Sequence, residues 1–331
     1  MTMADLVRGR TADIPRAVEP AGSGDASWSD APDESAGLGA APAIRAEPSQ
    51  DLRRANDAFH RAVAITDKVL RSLRARTSFS ATVLEAPLEA LLESVQTSDI
   101  LLLPFFNPGG GSGDAAETVV NACVLAMKIG TLLSYTHDAL LDLGVAALLH
   151  QAGVARASGE DTQLVQGLKV RYPGAAAVLA QLREHPNGAG ATADVEDTDS
   201  REPAHIVGLA GIIEGLVRRR PVRSGVGHTE IIKDVLKRER GTYPHQVLKA
   251  LIRILATLPV GSLVRLNTGE ICRVAAKKDG FPLRPILTVL VRQHKRVTEP
   301  NAIDLSQHPF LHIQGFVTEA MLNREAEMGA L

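Results

Sequence analysis

A few short stretches of this chain carry side chains whose types and spacing suit chemistry. His137-Asp138 in "THDAL" and His150-Gln151 in "GVAALLHQAGVA" pair an imidazole with a carboxylate or a carboxamide. Imidazole and carboxylate bind divalent metals and move protons. Glu184-His185 in "REHPNGAG" offers an acid next to a base. Arg218, Arg219, Arg220 and Arg223 in "RRRPVR" gather planar guanidinium groups that suit a phosphate or nucleotide. Each has a plainer reading beside it. Asp138 stands where a helix would open, and negative charge is favoured there. Glu184 and His185 begin a polar, glycine-rich loop. The arginines stand at a helix C-terminus, where cations complement the helix dipole. His228, His245, His308 and His312 show no ligand spacing on one helix face and read as structural or exposed. The glycines of "NPGGGSGD" lack the Gly-Lys-Ser/Thr that completes a phosphate-binding loop, so they read as a linker. No Ser-His-Asp or Cys-His arrangement can be argued.

The elements that position these residues are mostly helices. The chain has 331 residues, of which 45% are hydrophobic and only 3% aromatic, so the core must be built from Ala, Leu, Val and Ile. Residues 1–50 are rich in Ala, Pro, Asp, Glu, Ser and Gly without apolar periodicity, and are expected to be disordered. "DLRRANDAFHRAVAITDKVLRSLRAR" and "SATVLEAPLEALLESVQTS" have helical spacing, the latter followed by apolar "LLLPFF". Three helices at about 116–134, 138–155 and 203–217 are apolar on nearly all sides, as in the middle of a bundle. "PHQVLKALIRILATL" is amphipathic, with Pro244 in its first turn. After Pro259 the period becomes two: "GSLVRLNTGEICRVAA" reads as a hairpin turning at Asn267-Thr268-Gly269. "RPILTVLVRQ" and "PFLHIQGFV" add two strands. The expected division is 1–50 disordered, 51–258 helical domain, 259–318 small antiparallel β appendage and 319–331 tail.

The order of these segments resembles the HD-GYP branch of the HD metal-dependent phosphohydrolases over roughly residues 55–318. The likeness lies in "LPVGSLVRLNTGEICRV" with "PLRPILTVL", in "HIVGLAGIIEGLVRRRPVR", and in "NACVLAMKIGTLLSY" with "LLDLGVAALLHQAG". The resemblance implies an HD-like helical bundle. It also implies, in active members, two or three metal ions that hydrolyse cyclic di-GMP. Carried over one position at a time, the first family histidine falls on Thr118, and the His-Asp pair on His150 and Gln151. The lysine that follows falls on Val154. The His of His-Pro-x-x-Gly falls on Tyr172, and His-His-Glu falls near Leu182, Arg183 and Glu184. Gly-Tyr-Pro falls on Gly190, Ala191 and Thr192, and the late aspartate on Gly211.

Such a centre needs several donors converging on one point. Of the carried positions only His150 keeps a strong ligand. Gln151 cannot bridge two cations, Gly211 offers no side chain, and an Arg183 at the old site would repel a cation. Without metal there is no activated hydroxide. Buried carboxylates that lost their metal would be costly, and Thr, Gln, Tyr, Leu and Gly remove that cost. His150 then reads as a buried remnant held by Gln151 or a backbone carbonyl. The reading that follows is an inactive HD-GYP-related module for protein interaction in bacterial signalling, with no cofactor. Two alternatives stay open. One is an effector that binds cyclic di-GMP or another nucleotide through Arg218, Arg219, Arg220 and Arg223. The other is a divergent phosphodiesterase using iron or manganese at His150, His137, Asp138 or His185. A net charge of −2 argues against a nucleic-acid partner. Cys123 and Cys272 exclude a disulfide framework and suit a reducing compartment. No signal segment or uninterrupted apolar span is visible, so a cytoplasmic location is expected. Arg265 and Arg273 are expected to face outward from the β appendage.

Overall fold

The computed structural model describes residues 50–106, 114–153, 165–184, 198–219, 242–255, 258–278, 280–281, 283–298 and 301–328. Of the expected disordered segment 1–50, residues 1–49 lie outside them and Gln50 opens the first helix. The described residues form a helical bundle followed by a small antiparallel sheet, the architecture that the hydrophobic pattern predicts. Its main helices are α1 (Gln50–Arg74), α2 (Glu85–Thr97), α3 (Ala115–Leu132), α4 (His137–Gln151), α5 (Pro173–Glu184), α6 (Thr198–Arg219) and α7 (His245–Leu255).

Spacing decides which faces are covered. On α1 the buried residues are Ala55, Ala58, Ala62, Thr66 and Val69, three or four apart. On α7 they are Val247, Ala250, Leu251, Ile254 and Leu255. The central helices α3 and α4 are buried nearly all round and form a hairpin. Asp114 caps α3 by accepting from the Ala116 amide at 3.2 Å. Thr136, not Asp138, caps α4: its hydroxyl accepts from the Ala139 amide at 3.4 Å. Asp138 sits inside that first turn, where the helix dipole still favours it. The helices meet closely at Gly144, where a Cβ would lie 2.0 Å from Met127 Cε. The Cys123 thiol donates to the Gly144 carbonyl at 3.3 Å. Helix α3 is long and apolar enough to cross a bilayer by length and composition; here it is a core helix.

Helix α6 runs antiparallel to α3. Near one end Tyr135 donates to Glu202 at 2.8 Å, and near the other Arg218 donates to Thr118. Asp142 of α4 organises the start of α5. Its carboxylate accepts from the Ala175 amide at 3.0 Å and from the Gly174 amide. A Cβ at Gly174 would lie 2.5 Å from Asp142 Oδ2, so glycine is what allows the approach.

The sheet is made of β1 (Leu263–Leu266), β2 (Ile271–Ala276), β3 (Ile286–Arg292), β4 (Lys295–Arg296), β5 (Ala302–Asp304) and β6 (Ile313–Phe316). The order is β4-β3-β2-β1-β6, with β5 also on β3, and every pairing is antiparallel. The expected Asn267-Thr268-Gly269 turn joins β1 and β2, with Gly269 at φ +96°. One face buries Val264, Leu266, Cys272, Val274, Leu287 and Val289. The other buries Leu263, Ile271 and Val291 under a last helix, α8 (Glu319–Met328). This is the stretch expected as a tail. Arg265 and Arg273, expected to face outward, instead meet this helix, each paired with one of its glutamates, and Arg265 is half-buried there.

Sheet and bundle meet through the Phe106 and Phe316 rings, 5.3 Å apart, and through Asp99. Asp99 follows α2 and pairs with Lys128 of α3 at 2.7 Å and with Lys277 after β2. A two-residue parallel pairing of Phe79–Ser80 with Val165–Gln166 is too short to leave a sequence pattern.

Candidate functional site

The site begins with three helix ends. The C-terminal turn of α4 carries His150 and Gln151, the N-terminal turn of α3 carries Thr118, and the last three turns of α6 carry Gly211, Glu214 and Arg218. Residues 211, 214 and 218 lie three and four apart, on one face of α6. The hairpin puts the start of α3 beside the end of α4, and the antiparallel α6 brings its C-terminal turns to the same place.

Two contacts define the geometry. The Gln151 side chain lies directly on Gly211: a Cβ there would fall 2.0 Å from Gln151 Nε2 and 2.9 Å from its Cδ. The Arg218 guanidinium donates to the Thr118 hydroxyl. Of the four positions that the resemblance carries to these helices, Gln151 and Gly211 thus meet each other, and Thr118 meets Arg218, which is not a carried position. His150 is buried beside them, with 2% of its surface exposed.

Glu214 stands one turn from Gly211 and one turn from Arg218. It is 8% exposed, and burial pushes its carboxyl from 4.5 up to about 7, with Arg218 pulling it partly back. Sequence reading passed over it. Its signal was an acid in the apolar run "GLAGIIEGLV", spaced to share a face with Gly211 and Arg218.

Other carried positions stand elsewhere. Tyr172 precedes α5 and is buried; its charged neighbours are Glu85, Arg171, Glu89 and Asp142, and its hydroxyl has no hydrogen-bond partner among the described residues. Leu182 is a core residue, and Arg183 and Glu184 are exposed in the last turn of α5. His137 opens α4 and pairs with Glu89 at 3.0 Å. His150 lies thirteen positions further on, about 20 Å along the helix. His137 and Asp138 therefore cannot join His150 in one coordination sphere. Val154, His185, Gly190, Ala191, Thr192, Arg220, Arg223 and His228 lie outside the described residues, as does the Arg219 side chain.

Among the described residues no three His, Cys, Asp or Glu side chains come together as a metal site. The residues at the three helix ends do not fit a di-metal centre. They supply one imidazole, one carboxamide, one hydroxyl, one guanidinium and a carboxyl that burial raises to about 7. The Gln151 amide also occupies the space against Gly211. What this set can do is hydrogen-bond: it has donors and acceptors of both kinds and one fixed cation.

Comparison with known proteins bears on both parts of the chain. Residues 263–325 match the family described as "KOW domain associated with HD domain". The chain is 22% identical over 206 residues to the cyclic di-GMP phosphodiesterase PA4108 of Pseudomonas aeruginosa, covering 56% of this chain and 50% of that protein. The two matches support an HD-domain family. The chain spans about half the length of that curated relative. No solved structure matches it.

Proposed function

We propose that this chain is a catalytically inactive relative of the HD-GYP phosphohydrolases that works as a regulatory or protein-interaction module in bacterial signalling. The contact of Gln151 with Gly211 carries this reading. The resemblance places two metal-binding aspartates at these positions. In this chain a neutral amide rests on bare helix backbone instead. A carboxamide cannot replace a bridging carboxylate, and a second ligand at 211 would have to displace it first. No step of a metal-assisted hydrolysis can be written through such a set.

A second reading, retention of cyclic di-GMP without hydrolysis, draws on Arg218. Its guanidinium stands at the same helix ends, where an anionic ligand would meet a fixed cation. The printed activity of the relative makes cyclic di-GMP the nucleotide to try.

The deciding experiment measures metal content by elemental analysis, before and after loading with iron or manganese, together with cyclic di-GMP hydrolysis. The expected result is metal in fewer than about one tenth of chains and no hydrolysis, since the mechanism needs a filled site. One or two metals per chain, lost in His150→Ala, would overturn the proposal. Calorimetric titration with cyclic di-GMP separates the second reading: binding that Arg218→Ala abolishes supports it.

A further inference from the structure

At the helix ends one guanidinium has two acceptors to serve. Glu214 and Arg218 stand four apart on α6 with the acid first, the order that suits an ion pair along a helix. The structure does not make that pair. Arg218 reaches across to α3 instead and donates to the Thr118 hydroxyl. Thr118 does not depend on that bond, since its own hydroxyl donates to the Asp114 carbonyl at 3.1 Å. Glu214 is left with no hydrogen bond or ion pair among the described residues, although it is only 8% exposed. The helices packed against α6 carry Asp114 and Glu117 at the start of α3, His150 at the end of α4, Arg183 and Glu184 at the end of α5, and Lys249 and Arg253 on α7. Among the described residues Arg218 is the one charge that acts on the Glu214 carboxyl.

This arrangement suits one protonation state. A protonated carboxyl exerts little pull on a guanidinium, so Arg218 is available to tie α6 to α3. An ionised carboxyl left unpaired in a buried place is costly, and the cation that relieves the cost stands one turn away. We propose that Glu214, Arg218 and Thr118 form a proton-controlled latch between α6 and α3, closed while the Glu214 carboxyl is protonated and opened when it ionises and draws the guanidinium back along its own helix. The tie across the helices is exposed, so the guanidinium changes partner without unpacking the core. Thr118 keeps its bond to the Asp114 carbonyl in either state. Burial raises the carboxyl to about 7, which puts the exchange near neutral pH. The use of the latch rests on the reading of the chain as a regulatory module; the exchange itself does not, and it does not require that the chain be inactive.

The test is nuclear magnetic resonance on the full chain, with labelled glutamate and arginine side chains, titrated from about pH 5 to about pH 9 so that both protonation states are reached. The Glu214 carboxyl carbon is expected to titrate at about 7, and the Arg218 Nε signal to move with the same midpoint. In Glu214→Gln the Arg218 signal should stay at its low-pH position throughout. In Thr118→Val, where the acceptor on α3 is gone, Glu214 should hold its proton about twofold less tightly, the worth of one exposed hydrogen bond. That result separates an exchange of partners from a guanidinium that merely senses a nearby charge. Both substitutions nearly conserve shape, and the titration of the parent chain needs neither. A Glu214 midpoint near the ordinary 4.5 would overturn the proposal, as would an Arg218 signal that does not follow Glu214. An Arg218 signal that still moves in Glu214→Gln, or an unchanged Glu214 midpoint in Thr118→Val, would overturn it as well. None of these readouts involves metal content or hydrolysis, so either proposal can fail alone.

Discussion

A single missing side chain sets the character of the helix ends. Gly211 lets the Gln151 amide lie on α6, and the two residues have no room to vary independently. Gly211→Ala displaces only the tip of a flexible side chain and gains helix propensity, so its stability should stay within about 1 kcal/mol of the parent. Gly211→Asp also buries a carboxylate near Glu214, two turns from an Arg218 that already meets Thr118, and should cost about 2 kcal/mol more. Denaturant titration of both variants checks this; equal costs would mean that Gln151 is not seated there. Glu214 makes a pH prediction. Its carboxyl is raised from 4.5 to about 7 chiefly by burial. Between those values the folded chain binds a proton that the unfolded chain has released, so stability falls as pH rises from about 4.5 to about 7 and then levels off. The fall is at most about 3 kcal/mol, and Glu214→Gln should flatten it in urea titrations across that range.

Between elements, Asp99 has the largest share of the polar work. Burial alone would push its carboxyl up, but Lys128 and Lys277 hold it below the usual range. Lys128 is itself 13% exposed and also donates to the Val95 carbonyl at 2.9 Å. Asp99→Asn leaves that ammonium without its counter-charge and releases Lys277 from the bundle. The expected loss is about 1–3 kcal/mol, between an exposed pair and a buried one. Below the folded pKa of Asp99 the variant and the parent should converge, because the parent's carboxyl is then protonated in the folded and the unfolded chain alike. Thermal unfolding of the two proteins at neutral and acid pH measures it.

For the whole molecule the proposed reading predicts a stability that does not depend on metal. The main core runs without interruption from α1 to α7 and includes Leu148, Leu149 and Leu209 on either side of the Gln151–Gly211 contact. Addition of a chelator should leave the thermal midpoint within about 1 °C, where loss of a structural metal would lower it by many degrees. A large fall would show that residues outside the described ones complete a site with His150.

Much of this was legible in the residues themselves. The three- and four-residue spacing on α1 and α7 and the alternation in "GSLVRLNTGEICRVAA" determined element types, because each pattern suits only one way of hiding apolar surface. The donor types at His150, Gln151 and Gly211 already told against a di-metal centre, since coordination chemistry depends on which atoms are present. Three things needed the fold. The meeting of Thr118 with Arg218 joins residues 100 positions apart, and only the antiparallel run of α6 along α3 brings them together. The raised carboxyl of Glu214 depends on how much water its neighbours exclude, which no local pattern encodes. The seating of α8 on the sheet could not be read because its apolar stripe is short, Met321, Leu322 and Ala326, and its partners come from β1, β2 and β4. Local pattern determined what each segment could become; tertiary packing decided which side chains would share a dielectric, a hydrogen bond or a seam.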